Sequence, residues 1–254
     1  MAAEAAVVCA LGDVRPPITL HRRLIEDEDS AVDPYLFDDD YTVACSTGFQ
    51  VWEGSFCLVD AMRKGQLDIP KGARVLELGA GAGLAGLAAA AMGANVLLTD
   101  VKPVVDGSLK PNIERNGAAG IKGLPPAAFQ GAVPVGDGSA AAQPLNWSKE
   151  LACQCLPNDP TERIDVILAA ECVWLSDILD EFLDTLKALL TANPAASVYL
   201  SFRERAVASS QAFVSSARLW SSCAERGLAH AVVFEGDAPE VRGKVCEVHR
   251  VYLT

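Results

Sequence analysis

Basic side chains are in short supply. The 254-residue chain carries 21 Lys and Arg against 33 Asp and Glu, a formal charge of −12. A surface of that sign repels nucleic acid and anionic membranes and attracts basic partners. Long apolar runs are missing too: the richest stretch, residues 83–99, is interrupted by Gly93 and Asn95, and a membrane span needs about 20 apolar residues. No basic region precedes the short apolar run in MAAEAAVVCALGD, which also holds Glu4, so a secretory signal is not expected. Eight cysteines are scattered, and only Cys153 and Cys155 lie close together. Their spacing matches no zinc template, so no metal is expected, and free thiols suit a reducing cytoplasm or nucleus. The three histidines, His21, His230 and His249, fall in no recognisable catalytic motif.

What is present is core material. Half of the residues are hydrophobic although only 6% are aromatic, which suits one substantial α/β domain with a full core. Eight of the acidic residues crowd into EDEDSAVDPYLFDDD, from Glu26 to Asp40, read as a solvated acidic loop or as a docking surface for a basic segment. Beyond an irregular N-terminal third, apolar runs alternate with segments of helical period, the mark of βα repeats around a largely parallel sheet. Strands are expected at Arg74–Leu78, Asn95–Asp100, Ile164–Ala170 and Ser197–Phe202. His230–Glu235 and Val245–Leu253, joined by GDAPEVRG, read as a closing antiparallel hairpin. Leu179, Phe182, Leu183, Leu186 and Leu190 form one helical stripe, with Ser176 or Asp177 able to cap it and Pro194 beyond its end. Phe213, Ala217, Trp220 and Ala224 form a second, stopped by Gly227. The Gly-, Ala- and Pro-rich residues 117–144 read as an extended loop around one short strand.

The motif with chemical content is RVLELGAGAGLAGLAAAAMGANVLLTD, residues 74–100. A dinucleotide fingerprint requires glycine at its first, third and sixth positions. Gly79 and Gly81 comply, but position 84 is Leu. The pattern is G-x-G-x-G, with Glu77 two positions ahead and Asp100 ending the next strand, where a carboxylate can accept both hydroxyls of a ribose. A ligand with a ribose but no pyrophosphate fits, which points toward S-adenosylmethionine.

Further segments occur in a set order: STGFQVWEGSFCL, the glycine motif, PNIERN, LNW, DVILAAECVW and SFRER. From about Thr47 to Phe213 this order resembles the seven-β-strand protein methyltransferases of the lysine methyltransferase-like family. The resemblance implies an α/β, Rossmann-like class I methyltransferase fold: a seven-stranded mixed sheet with helices on both faces and a C-terminal antiparallel hairpin. It implies a methyltransferase domain over residues 46–254 behind an acidic extension over 1–45. It also implies that Trp52, Glu77, Gly79, Ala80, Gly81, Asp100, Trp147 and Ala170 bind S-adenosylmethionine. Trp52 also reads as a helix-start anchor, and Trp147 as cover for a hydrophobic edge. Asn112 and Asn116, one helical turn apart, read as capping or fold-supporting.

Where most of the family ends its fourth strand with D-x-x-Y, this chain has ECVW, so Glu171 and Trp174 stand at the expected catalytic positions. Methyl transfer from a sulfonium is an in-line displacement that needs mainly a nucleophile held in the attack direction. Glu171 can capture and aim an amine, and Trp174 can line its channel by cation–π contact. Glu171 also has an alternative reading, as a residue that caps or salt-bridges a neighbouring helix. SFRER, with Arg203, Glu204 and Arg205, reads as a structural charge cluster or part of a substrate rim. The implied activity is methyl transfer to a lysine of a non-histone protein with a basic segment, by a monomer that binds neither nucleic acid nor membrane. Arginine and then histidine are the next acceptors. A small-molecule methyltransferase and a non-catalytic cofactor-binding scaffold remain as other classes.

Overall fold

The computed structural model describes residues 4–12, 15–23, 47–117, 128–204, 212–237 and 245–254. The acidic run from Glu26 to Asp40, Cys45, Arg205 and most of the GDAPEVRG connection lie outside the described residues.

The alternating pattern folds into one eight-stranded sheet. Its strands are β3 (Arg74–Leu78), β4 (Asn95–Asp100), β5 (Val133–Val135), β6 (Gly138–Pro144), β7 (Val166–Ala170), β8 (Ser197–Phe202), β9 (Leu228–Asp237) and β10 (Val245–Leu253). The order is β5-β6-β4-β3-β7-β8-β10-β9. The five strands from β6 to β8 pair in parallel, whereas β5 and the closing β9–β10 hairpin run antiparallel to their neighbours. The mixed sheet and the closing hairpin agree with the sequence reading. The sheet has eight strands rather than seven, because β5 folds back on β6 at one edge.

Helices cover both faces. Val75 of β3 faces a core built with Leu58 of α1 (Glu53–Arg63) and Leu84, Leu87 and Ala88 of α2 (Leu84–Ala91). Leu76 and Leu78 point the other way, into Phe182, Leu183 and Leu186 of α5 (Leu179–Ala192) and Leu219 of α6 (Ser216–Glu225). This alternation follows from the two-residue period of a strand buried on both sides. Between β4 and β5, α3 (Lys102–Val104), a π-helical segment (Val105–Leu109) and α4 (Lys110–Gly117) follow one another without a break.

Four local expectations are corrected. Of residues 117–144, the described 128–144 hold two strands around a Gly136–Asp137 turn, and β6 is a full parallel partner of β4. Its run of Ser and Ala has weak strand propensity, and burial beside β4 decides its conformation. The first helical stripe is preceded by a 3-10 turn, Ser176–Ile178, and neither Ser176 nor Asp177 caps it. The second stripe is rotated: Leu219 and Cys223 are buried, while Ala217 and Ala224 are exposed.

Finally, the N-terminal third is not irregular throughout, because β1 (Glu4–Cys9) and β2 (Ile18–Arg23) form an antiparallel hairpin. Asn112 and Asn116 of α4 hold it as a neighbouring strand would. The Asn112 carboxamide accepts from the His21 N–H at 2.9 Å and donates to its carbonyl at 3.2 Å. The Asn116 carboxamide does the same to Thr19, at 3.0 and 2.8 Å. Ile18 and Leu20 are buried in the α1–α2 core as a result.

Candidate functional site

The C-terminal ends of β3, β4 and β7 meet where the connections leave the central strand in opposite directions, the usual ligand crevice of an open α/β sheet. A cavity of about 300 Å³ opens there. Eight of the ten residues singled out from the sequence line it: Trp52, Gly79, Gly81, Asp100, Trp147, Ala170, Glu171 and Trp174. Glu77 and Ala80 lie behind the wall. Ala80 donates its N–H to the Thr99 carbonyl at 2.9 Å, tying the glycine turn to β4.

The turn itself demands glycine. Gly79 and Gly81 have φ of +60° and +56°, in the left-handed region that favours residues without a Cβ. A Cβ on Gly79 would stand 2.7 Å from the Cys172 Cβ and 3.0 Å from the Trp147 ring.

Asp100 fixes the other side of the turn. One carboxylate oxygen accepts from the Gly81 N–H and the other from the Val101 N–H, each at 2.8 Å. Burial pushes its carboxyl up to about 6, against the pull of those two hydrogen bonds. Its carbonyl accepts from the Leu145 N–H at 2.9 Å, which starts the loop carrying Trp147. Trp147 then packs edge-on against Phe182, with centroids 5.2 Å apart. The site therefore sets a carboxylate and an indole on two sides of one pocket, a combination suited to a ribose and an adjoining flat base.

Glu77 is fully buried under the turn. One oxygen accepts from the Gly86 N–H of α2 at 2.9 Å, while Oε1 has no partner among the described residues. Burial raises its carboxyl to about 8, with Asp100 adding to the rise and the Gly86 bond opposing it. Cys172 lines the cavity but is no nucleophile at neutral pH, since burial and the nearby Asp100 charge drive its thiol upward.

Elsewhere on the cavity wall, Trp52 is the N-cap of α1 and its indole N–H donates to the Thr47 carbonyl at 3.0 Å. It gives α1 no side-chain cap; Glu171 supplies one from 117 positions away, with Oε2 accepting from the Gly54 N–H at 2.8 Å. Oε1 meets the Arg203 Nε at 3.3 Å, and Arg203 Nη2 reaches Glu53 at 3.2 Å. The capping and salt-bridging contacts of the alternative reading are thus both present, on a residue that also lines the cavity. Glu171 has φ +51°, the sole positive φ outside glycine among the described residues. That conformation costs about 1 to 3 kcal/mol and persists only where surroundings impose it. Gly54 allows the close approach, since a Cβ there would lie 2.6 Å from the Glu171 Cβ.

Sequence reasoning missed several lining residues, among them Asn146, Asp177, Ile178 and Glu181. Glu181 could have been found, because it lies one turn beyond Asp177 at the start of a helix whose apolar stripe was evident.

The profile of a family described as lysine methyltransferase matches residues 36–219, well over half of the chain. The chain belongs to the lysine methyltransferase family. Among curated relatives, it is similar to "Protein N-lysine methyltransferase METTL21A" of Danio rerio, at 34% identity over 61% of this chain and 60% of that protein. It is also similar to "EEF1A lysine methyltransferase 3" of Mus musculus, at 29% identity over 65% of this chain and 59% of that one. The match thus spans about 60% of each relative's length. Among solved structures, the CurJ carbon methyltransferase superposes with a TM-score of 0.51 at 14% identity, over 79% of this chain and 54% of that one. That likeness agrees with the class I methyltransferase fold. No helix among the described residues is long and apolar enough to cross a membrane.

Proposed function

We propose that this family member is an S-adenosylmethionine-dependent protein methyltransferase acting on a lysine side chain of a non-histone protein with a basic segment. The observation that carries the reading is the convergence of Gly79, Gly81, Asp100, Trp147, Glu171 and Trp174 on one cavity. Family membership and the lysine-methylating names of the relatives support the same class.

The residues present fit the cofactor. Asp100 would hold the ribose hydroxyls, Trp147 would cover the base, and the glycine turn with Trp52 and Ala170 would receive the methionine portion. When bound, the cofactor supplies an electrophilic methyl group on a sulfonium. This chain's own task is to hold and orient an amine and to exclude water. A lysine attacks only when neutral, and its ordinary pKa is about 10.4. Apolar walls such as Ala170 and Trp174 favour the neutral amine by desolvation, whereas carboxylates favour the ammonium. Capture of the cation and its deprotonation therefore belong to different parts of the cavity. The working places proposed are the cytoplasm and nucleus, with the protein active as a monomer.

The test is incubation of the purified full chain with methyl-labelled S-adenosylmethionine and an extract of its own organism. A discrete labelled protein, yielding methyl-lysine on acid hydrolysis and unlabelled by Asp100→Ala, is the expected result. Label in methyl-arginine or methyl-histidine would move the acceptor, and label only in small molecules would overturn the protein substrate.

A further inference from the structure

The residue at the expected amine-capturing position is already committed. Glu171 directs one oxygen at the Gly54 N–H and the other at Arg203, with side-chain exposures of 2% for Glu171 and 6% for Arg203. Both of its oxygens are thus engaged, by a helix N-terminus and by a guanidinium that Glu53 shares, and an incoming ammonium would have to compete with those partners.

A second acidic element faces the same cavity. Asp177, in the turn before α5, and Glu181, in its first helical turn, both line it beside Trp174. Asp177 is exposed and Glu181 half-buried, which sets them toward the solvent opening, whereas Ala170 lies deep. Neither carboxylate has an ion-pair partner among the described residues. Their neighbours on the same helix differ, because Asp180 and Asp184 are both held by Arg226, at 2.8 and 2.7 Å. Among the described residues the segment thus divides its acids: the two away from the cavity share a cation, and the two at the cavity have none.

Resting on the proposed function, we infer that Asp177 and Glu181 are specificity-determining residues that recognise the cationic acceptor segment at the cavity opening, with Trp174 as its aromatic wall, while Glu171 positions α1 and the cavity floor. This division lets the ammonium be attracted at a solvated, charged rim and pass its proton to solvent water there as apolar surroundings lower its pKa, avoiding a carboxylate at the reaction point that would hold the amine protonated. The occupant is a lysine flanked by further basic side chains, since two carboxylates exceed what a single ammonium needs.

The test compares the full-length wild type with Asp177→Asn/Glu181→Gln and with Asp180→Asn/Asp184→Asn. The last makes the same charge change on the same segment away from the cavity. Each is titrated calorimetrically with S-adenosylhomocysteine and assayed for labelling of extract protein at limiting extract. All three are expected to bind S-adenosylhomocysteine within about twofold of one another. Labelling should fall at least about tenfold in the cavity double variant alone, and added salt should slow the wild type toward it. Unchanged labelling in the cavity variant, an equal loss in both variants, or a loss of S-adenosylhomocysteine binding in the cavity variant would each overturn the assignment while leaving the methyltransferase reading intact. No labelled protein with the wild type would overturn both.

Discussion

Arg203 and Glu171, each one residue past the end of neighbouring parallel strands, meet at 3.3 Å in almost complete burial. The β7–β8 register pairs Ala170 with Ser201, and the Glu171 N–H donates to the Ser201 carbonyl at 3.1 Å. The ion pair is therefore a product of the sheet, and it carries the sheet's order across to the first turn of α1 and the cavity wall.

Removing the cation is expected to be costly. Arg203→Met removes the cation that Glu171 and Glu53 share, and stripping one partner from a buried pair costs about 3 to 5 kcal/mol. Urea denaturation should show an unfolding free energy lower by that amount, with the midpoint falling by that amount divided by m. Arg203→Met/Glu171→Gln should recover part of the loss, because one of the two carboxylates that Arg203 held is then neutral. A double variant no more stable than the single one would deny the coupling.

The stability of the fold should depend on pH through Glu77. Its carboxyl sits near 8 in the folded protein, against an ordinary value of 4.5. The folded state then holds the proton more firmly than the unfolded one, so this contribution is fully present below about 4.5, declines as the pH rises and is gone above about 8. Glu77→Gln keeps an acceptor for the Gly86 N–H and cannot ionise. Relative to wild type it should gain a few kcal/mol between pH 5 and 9. Thermal melts of both proteins at pH 5, 7 and 9 would show this, and parallel curves would contradict it.

The hairpin should be detachable without unfolding the sheet. Asn112→Ala/Asn116→Ala removes four hydrogen bonds to Thr19 and His21, each worth about 1 kcal/mol net. Amide hydrogen exchange is expected to accelerate at Thr19 and His21 while β3, β4 and β7 keep their protection. Equal acceleration in the hairpin and the sheet would mean that the two open together.

The parts legible in the sequence are those set by local pattern. β3, β4, β8 and β10 begin and end where their apolar runs do, and Gly79, Gly81 and Asp100 declare themselves through strand-turn-helix spacing. What escaped depends on partners distant in the chain. β6 is a strand because β4 lies beside it, and β2 is fixed by side chains 91 and 97 positions away. At the site, ECVW suggested an amine ligand, but whether its carboxylate is available depends on Gly54 and Arg203, which no local spacing connects to it.

The hairpin's mode of attachment bears on how the protein can be shortened. The family match begins at residue 36, which invites trimming to that boundary. Such a cut would delete Ile18 and Leu20, exposed by 3% and 0%, uncover the apolar flank of α2 and strand two carboxamides that now complete a strand. The trimmed protein should expose a sticky, half-polar seam and self-associate, so aggregation after truncation would reflect a missing lid on the core rather than a misfolded sheet.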